Sequence, residues 1–437
     1  MQVLSADWVL PIDGPPIRDG AVAFEEGRIV AIGPADEIGA GTRREGAAIL
    51  PGFVNAHTHL EYAVYGGFGD GLADFSAWIS LHVERKARAG WDEFVAIARL
   101  GAAQCLASGV TTVADCSYSG AAAPACAELG LRAVVHLEVF GADPDDVLAR
   151  FADKYGRVEE SFSDRVRPGV SPHAPYTVSG AAYTACAGLP YPLATHVSES
   201  RSELAYLTEG SGAWAGYSEL LVPPPGTTGT RLLADLGALG PQTLAVHCVH
   251  VEADEIALLA AAGAGVAHCP RSNASLGCGV APLRALLDAG VHVGLGTDSP
   301  ASAPSFDMFD ELRAAVLLAR AREGRPDALS AAEALELATL GSARALGLDD
   351  RIGSLVPGKH ADLAVVSLEG SPHLPWEDPA YAVVFGGAPE RVLATLVGGE
   401  VRYEKGGDRW PDLRRRAASA RSLMLNTAAP AAGDHRA

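Results

Sequence analysis

Six side chains in this sequence have the types and spacing for metal-assisted hydrolysis. His57 and His59 stand two apart in PGFVNAHTHLE. In an extended chain, residues i and i+2 project to the same side, so both imidazoles can reach one ion. His196 ends the apolar run PLATH, and Glu199 follows three residues on. His247 ends TLAVH, and Asp298 ends VGLGTD. Three imidazoles and a carboxylate suit a divalent ion such as Zn²⁺, with one position left for water. Water on such an ion can reach a pKa near neutrality, which makes hydroxide available at physiological pH. Each residue alone also has a plain structural reading. His196 can be a hydrogen-bonded core histidine, and Asp298, followed by Ser299 and Pro300, can cap a helix. Four apolar runs that each end in a ligand-type residue are harder to explain that way, because buried unpaired His and Asp are costly.

The elements that must position these groups can be read from the apolar periodicity. VTTVAD (110–115), RAVVHLEVF (132–140), RPGVSP (167–172), PLATHV (192–197), TLAVHCV (243–249), AGVAHC (264–269) and VHVGLGTD (291–298) read as buried parallel strands. Helix-like segments alternate with them, such as 92–109 and 252–263. Strand–helix alternation over ~290 residues is the length of a (β/α)₈ barrel, whose chemistry sits at the C-terminal ends of the strands. A doubly wound open sheet is the alternative. No GxGxxG follows a first strand, and Gly358-Lys359 is followed by His360, so there is no P-loop.

The two ends of the chain read differently. AVAFEEGRIVAIGP (21–34) is strand, turn, strand, and residues 354–369 and 382–403 are again strand-like. The expected fold is therefore α/β: a TIM-like barrel over residues 52–345, with a small β-sandwich built from residues 1–51 and 346–437. The Gly-, Pro- and Thr-rich stretch 210–230 reads as a long loop, and the tail after about residue 426 as disordered.

Composition narrows the function classes. The 437 residues carry 34 basic and 53 acidic side chains, a formal charge of −19, which disfavours nucleic acid and anionic membrane as partners. The start MQVLSADWVL has no signal-peptide pattern, and no apolar run is long enough to span a membrane. Seven cysteines without a CxxC pair read as reduced thiols of a cytoplasmic protein. The HxE…PCxxC signature of zinc cytidine deaminases is absent.

PGFVNAHTHLE, SPHAPYTVS, ATHVSES, AVHCVHV, AHCPRSN, GLGTDS and GSLVPGKHADLAVV, in this order, resemble the amidohydrolase superfamily, and more closely its chlorohydrolase and nucleoside-deaminase branch. The resemblance implies a distorted barrel with one divalent metal per chain, Zn²⁺ first and Fe²⁺ or Mn²⁺ as alternatives. It implies His57, His59, His196 and Asp298 as ligands, Glu199 as proton shuttle and His247 as the polarising histidine. Asp298 and His247 would orient and deprotonate the water. Binuclear members bridge two metals through a lysine after the fourth strand. Here no lysine lies between Lys154 and Lys359, which excludes that bridge.

The resemblance also carries a substrate expectation, a small molecule bearing an amino group on an sp² carbon. HTHLEYAVYGGFGDGLADFSAWI resembles the aminodeoxyfutalosine deaminases of the alternative menaquinone pathway. It implies deamination of 6-amino-6-deoxyfutalosine, an N6-amino purine nucleoside with an aromatic acid beyond the ribose. The alternatives are S-adenosylhomocysteine, methylthioadenosine or adenosine deamination, guanine or triazine aminohydrolysis, dechlorination, and lactam hydrolysis. His173, Trp78 and Glu84 are candidate substrate contacts. Arg201, Arg271 and Arg85 are candidate partners for a substrate carboxylate. A homodimer is a further expectation of the resemblance.

Overall fold

Strands from both terminal parts of the chain share one sheet. The computed structural model describes residues 1–72, 75–215, 221–371, 377–407 and 410–426. Four strands come from the N-terminus: β1 (Gln2–Val9), β2 (Ile17–Glu25), β3 (Arg28–Pro34) and β4 (Thr42–Pro51). Three come from the C-terminal part: β13 (Leu363–Ser367), β14 (Val392–Val397) and β15 (Glu400–Glu404). They form one mixed sheet in the order β15-β14-β13-β4-β1-β2-β3. Its two edges meet. A Cβ on Gly27, in the β2–β3 turn at φ +77°, would lie 2.9 Å from the Gly398 carbonyl in the β14–β15 turn. The sheet is thus curled over, and Val22, Phe24, Ile29, Ile49, Leu363, Val365 and Leu396 fill its inside.

Between these parts run eight parallel strands: β5 (Phe53–Thr58), β6 (Val110–Ser117), β7 (Arg132–Val139), β8 (Val166–Pro172), β9 (Leu193–Val197), β10 (Thr243–His247), β11 (Gly265–His268) and β12 (His292–Leu295). Each pairs with its sequence neighbour. Every residue of β5, β6, β7, β9, β10 and β11 is buried. Helices cover one side and the barrel interior the other, which is why these strands read as unbroken apolar runs and not as alternating ones. The interior is packed with small residues, Ala56, Ala114, Ala194 and Ala267, together with Leu244, Val246 and Ala345. Ala345 belongs to the helix Ser342–Ala345. A Cβ on Gly265 would stand 2.2 Å from the Ala345 carbonyl, so only glycine lets that helix seat against the strand.

The C-terminal region departs from the expectation: of 354–369 only Leu363–Ser367 is strand, and 382–403 is strand only at Val392–Val397 and Glu400–Glu404. Residues 382–386 form the end of a helix, Pro379–Gly386, and not a strand. This segment is apolar all round, so its period is uninformative. The helix is set by its start: Asp378 accepts from the amides of Ala380 and Tyr381, with Pro379 at the first helical position. The last described helix, Pro411–Leu425, places Ala417, Ala420 and Met424 in the barrel's main apolar cluster. Of the stretch 210–230, residues 216–220 lie outside the described residues, and the helix Gly229–Asp235 takes its end. The tail after 426 also lies outside them.

One buried ion pair ties sheet to barrel. Arg132, at the start of β7, donates to Asp362, just before β13, through Nε (2.8 Å) and Nη2 (3.3 Å). Asp362 Oδ1 also accepts from the Gly398 amide (2.7 Å). Both side chains are under 10% exposed, at 8% and 3%. Asp362→Ala leaves a buried guanidinium without its counter-charge and should destabilise the fold by about 3–5 kcal/mol. The expected readout is a lower denaturant midpoint with an unchanged slope.

Candidate active site

The barrel's last seam closes at the residues the sequence singled out. At the C-terminal end of β5, Thr58 bridges to Asp298. The Asp298 amide donates to the His57 carbonyl (3.0 Å), and the His59 amide to the Asp298 carbonyl (3.3 Å). Asn55 braces the same seam: its Nδ2 donates to Thr297 Oγ1 (2.7 Å), and the Thr297 amide donates to Asn55 Oδ1 (2.9 Å). Ser198 (φ 54°), His247 (φ 76°), Cys248 (φ 46°) and Asp298 (φ 57°) all sit in the left-handed region without being glycine, just at or beyond strand ends. Strain of this kind persists only where surrounding contacts fix it, and it clusters at functional sites.

The ring nitrogens point at one place. His59 Nδ1 donates to the Cys116 carbonyl (2.7 Å), and His196 Nδ1 to the His173 carbonyl (2.8 Å). Their Nε2 atoms then face each other at 3.2 Å. Burial drives His57 down to about 4, and His59 and His196 to about 3, so all three are neutral at pH 7. Two lone pairs at that distance with no proton between them need a cation. Two nitrogens each ~2.1 Å from a tetrahedral Zn²⁺ stand about 3.4 Å apart. Asp298 Oδ1 lies 3.7 Å from both His57 Nε2 and His59 Nε2, and His57 Nε2 is buried without a hydrogen-bond partner. The donor set therefore fits a divalent ion. Asp298 Oδ2 is held by the hydroxyls of Ser272 (2.7 Å) and Ser302 (2.8 Å). Burial opposes its charge, but contact with His57 and the neighbouring histidines outweighs burial and holds the carboxyl well below the usual carboxylate range.

Two further groups flank this point. Glu199 Oε1 lies 3.7 Å from His247 Nε2. Burial, and secondarily the Asp298 charge, push Glu199 up to about 8. Its backbone is fixed by Glu203, whose carboxylate accepts from the amides of Ser198 and Glu199, both at 2.7 Å. Ser200 caps the following helix by accepting from the Glu203 amide, so S-x-x-E is the signal that would have found Glu203. His247 Nδ1 donates to Asn273 Oδ1 (2.9 Å), which leaves Nε2 with a lone pair. His268, at the end of β11, is buried, and its Nδ1 has no hydrogen-bond partner among the described residues.

A cavity of about 750 Å³ opens above these groups. His173, Trp78 and Glu84 all line it, in different ways. His173 Nδ1 bonds Thr177 Oγ1 (2.8 Å), and its ring packs on Phe140. Trp78 donates to the Ala301 carbonyl (3.2 Å) and packs on His82. Glu84 is at the rim, 59% exposed and ion-paired with Arg88. Trp214, Leu221 and Val222 bring the 210–230 stretch to the cavity wall.

The three candidate arginines do not line it. Arg271 is spent on buried Glu311, Arg85 stacks on Phe68 at 4.1 Å, and Arg201 is exposed. The cation that does line it, among the described residues, is Lys86, with Glu138 nearby on β7. Glu138 also comes within 4.8 Å of ligand atoms of His59 and His196. Lys86 had no motif to mark it. Glu138 lay inside an apolar run and read as part of a strand.

The amidohydrolase family model matches residues 48–402. A 5-methylthioadenosine/S-adenosylhomocysteine deaminase of Symbiobacterium thermophilum is 34% identical over 422 residues, 92% of this chain and 93% of that protein. A 5'-deoxyadenosine deaminase of Methanothermobacter thermautotrophicus is 34% identical over 412 residues, 90% and 92% of the two chains. Among solved structures, a zinc-bound adenosine deaminase from Xanthomonas campestris superposes with a TM-score of 0.86 at 31% identity, covering 97% of this chain and 98% of that one. A zinc-complexed atrazine chlorohydrolase from Arthrobacter aurescens gives 0.81 at 25% identity, covering 97% and 100%. The chain belongs to the amidohydrolase family and is a hydrolase acting on C–N bonds.

Chelated protein titrated with zinc should take up one ion per chain, and His59→Ala none, by elemental analysis. Ser272→Ala, which frees one side of Asp298, should weaken zinc binding by about 10–100-fold in a chelator competition.

Proposed function

We propose that this chain is a divalent-metal-dependent aminohydrolase that converts the amino-bearing carbon of a purine nucleoside to a carbonyl and releases ammonia. In this reading His57, His59, His196 and Asp298 hold the ion, with Zn²⁺ first. The observation that carries the reading is the pairing of Glu199 and His247 beside the convergence of those four donors, under a cavity of nucleoside size. The deaminase names of relatives that match this chain over nine-tenths of its length support it.

The ion supplies a Lewis acid that brings water to a near-neutral pKa. The rest falls to the chain. His247 Nε2 carries the lone pair, because Nδ1 is engaged by Asn273. It takes a proton from water as the oxygen adds to the ring carbon, and then donates a hydrogen bond to that oxygen as charge develops. Glu199, pushed up to about 8, holds a proton at neutral pH. It delivers that proton to the ring nitrogen next to the attacked carbon, so negative charge does not build up there. The tetrahedral carbon then collapses. The amino group leaves as ammonia with the proton that His247 took from water, Glu199 takes back the remaining hydroxyl proton as the carbonyl forms, and the ring carbon keeps the oxygen.

Within this class we favour 6-amino-6-deoxyfutalosine, which would place the chain in menaquinone biosynthesis. The likeness in residues 57–79 supports that choice. A cytoplasmic location goes with it, supported by seven buried unpaired cysteines. Among the described residues no helix is long and apolar enough to cross a membrane. The likeness to atrazine chlorohydrolase keeps dechlorination as a second reading, because the same activated water can displace chloride.

A panel of aminodeoxyfutalosine, S-adenosylhomocysteine, methylthioadenosine, 5'-deoxyadenosine, adenosine, guanine and a chlorotriazine, assayed for ammonia and chloride, tests the assignment. Ammonia from purine nucleosides is the expected result; chloride alone reverses it. Glu199→Gln should keep its metal and lose about 10²–10⁴-fold in kcat. Retained turnover in that variant would remove Glu199 from the mechanism.

A further inference from the structure

Lys86 closes the helix Phe75–Lys86 and reaches into the cavity. Its ammonium sits 3.6 Å from the centre of the Tyr118 ring, 5.9 Å from that of Tyr62 and 6.0 Å from that of Phe140. Tyr62 in turn stacks on His59, so this aromatic arc is continuous with the metal-binding end of the cavity. The one side-chain hydrogen bond Lys86 makes among the described residues is long, 3.5 Å to the Tyr62 hydroxyl. No carboxylate of the described residues forms an ion pair with it; Glu138 and Glu61 act on it from farther away. Burial lowers its pKa against their attraction.

The contrast with Lys154 is informative. The half-buried Lys154 spends its ammonium on the carbonyls of Tyr118 (2.6 Å) and Glu138 (2.7 Å), a structural role. Lys86 keeps donors unspent and turns them toward the cavity, between aromatic faces that can pack a flat or apolar group. A carboxylate buried among aromatic rings is costly unless a cation meets it. A neutral ligand that covered Lys86 would strip its water and return nothing. The arrangement therefore discriminates by charge.

We propose that Lys86 selects substrates carrying a carboxylate on the part of the molecule away from the amino-bearing ring, and that this carboxylate packs against Tyr118 and Phe140 while the ammonium pairs with it. The proposal rests on the purine-deaminase reading and narrows it to anionic nucleosides. An aryl carboxylate and an amino-acid carboxylate share this chemistry, and 6-amino-6-deoxyfutalosine and S-adenosylhomocysteine represent the two sources. Methylthioadenosine and 5'-deoxyadenosine are the neutral controls.

The experiment compares kcat/KM for these four compounds in wild type, Lys86→Met and Lys86→Arg, with melting temperature and metal content as checks of folding. The expected result is a wild-type preference for at least one carboxylate substrate. In Lys86→Met the ratio of carboxylate to neutral kcat/KM should fall on the order of 10²-fold, mainly through KM, with partial recovery in Lys86→Arg. A ratio unchanged by Lys86→Met, or a wild-type preference for neutral compounds, overturns the proposal. Calorimetric binding of the same carboxylate compounds to Glu199→Gln, with and without Lys86→Met, separates the two levels. Binding that depends on Lys86 without turnover in wild type sinks the deaminase reading alone. Binding that is absent, or indifferent to Lys86, sinks the anion contact.

Discussion

Two imidazole lone pairs aimed at each other across 3.2 Å hold the key to this molecule. Neither nitrogen can offer the other a proton, because backbone carbonyls have already claimed the opposite side of each ring. The contact is repulsive unless a positive ion fills it. The strained backbone at Ser198, His247 and Asp298, the glycine-tight packing under the barrel and the braced seam between β5 and β12 all serve to keep that point from relaxing.

The same centre separates two carboxylates by environment. Asp298 is ringed by imidazoles and two hydroxyls and stays ionised. Glu199 is buried without a cationic neighbour and sees the Asp298 charge, so it holds a proton near neutrality. Pairs of acids driven apart in this way are suited to different tasks, one ionised and one protonated near neutrality. The division needs no movement, because Glu203 locks the Ser198–Glu199 turn from behind.

What could be read from the sequence follows from where information is local. The histidines, Glu199 and Asp298 stand at or just past the ends of apolar runs, so their elements and their convergence at one end of the barrel were legible together. The barrel strands were legible because burial on both faces leaves no polar interruption. The partners that tune the site were not legible. Ser272 reaches Asp298 from the short helix Pro270–Ser275 and Ser302 from a turn, and a serine carries no periodic mark. Lys86 looked like one charge in a helical run, and only the packing of Tyr62, Tyr118 and Phe140 around it reveals its direction. The arginines offered for a substrate acid were plausible by type alone, and Glu311 and Phe68 had already engaged two of them. The helix Pro379–Gly386 was misread because its uniform apolarity erases the difference between periods of two and 3.6.

Amine chemistry has few handles on this surface. The chain holds four lysines, and Lys86 and Lys154 are tucked beneath the aromatic arc. The remaining ε-amines, Lys359 and Lys405, and the Met1 terminus all belong to the curled terminal sheet or its turns. A resin coupled through primary amines, too bulky to enter the cavity, would therefore grip the molecule by that sheet, whereas a small amine-reactive dye would also reach Lys86.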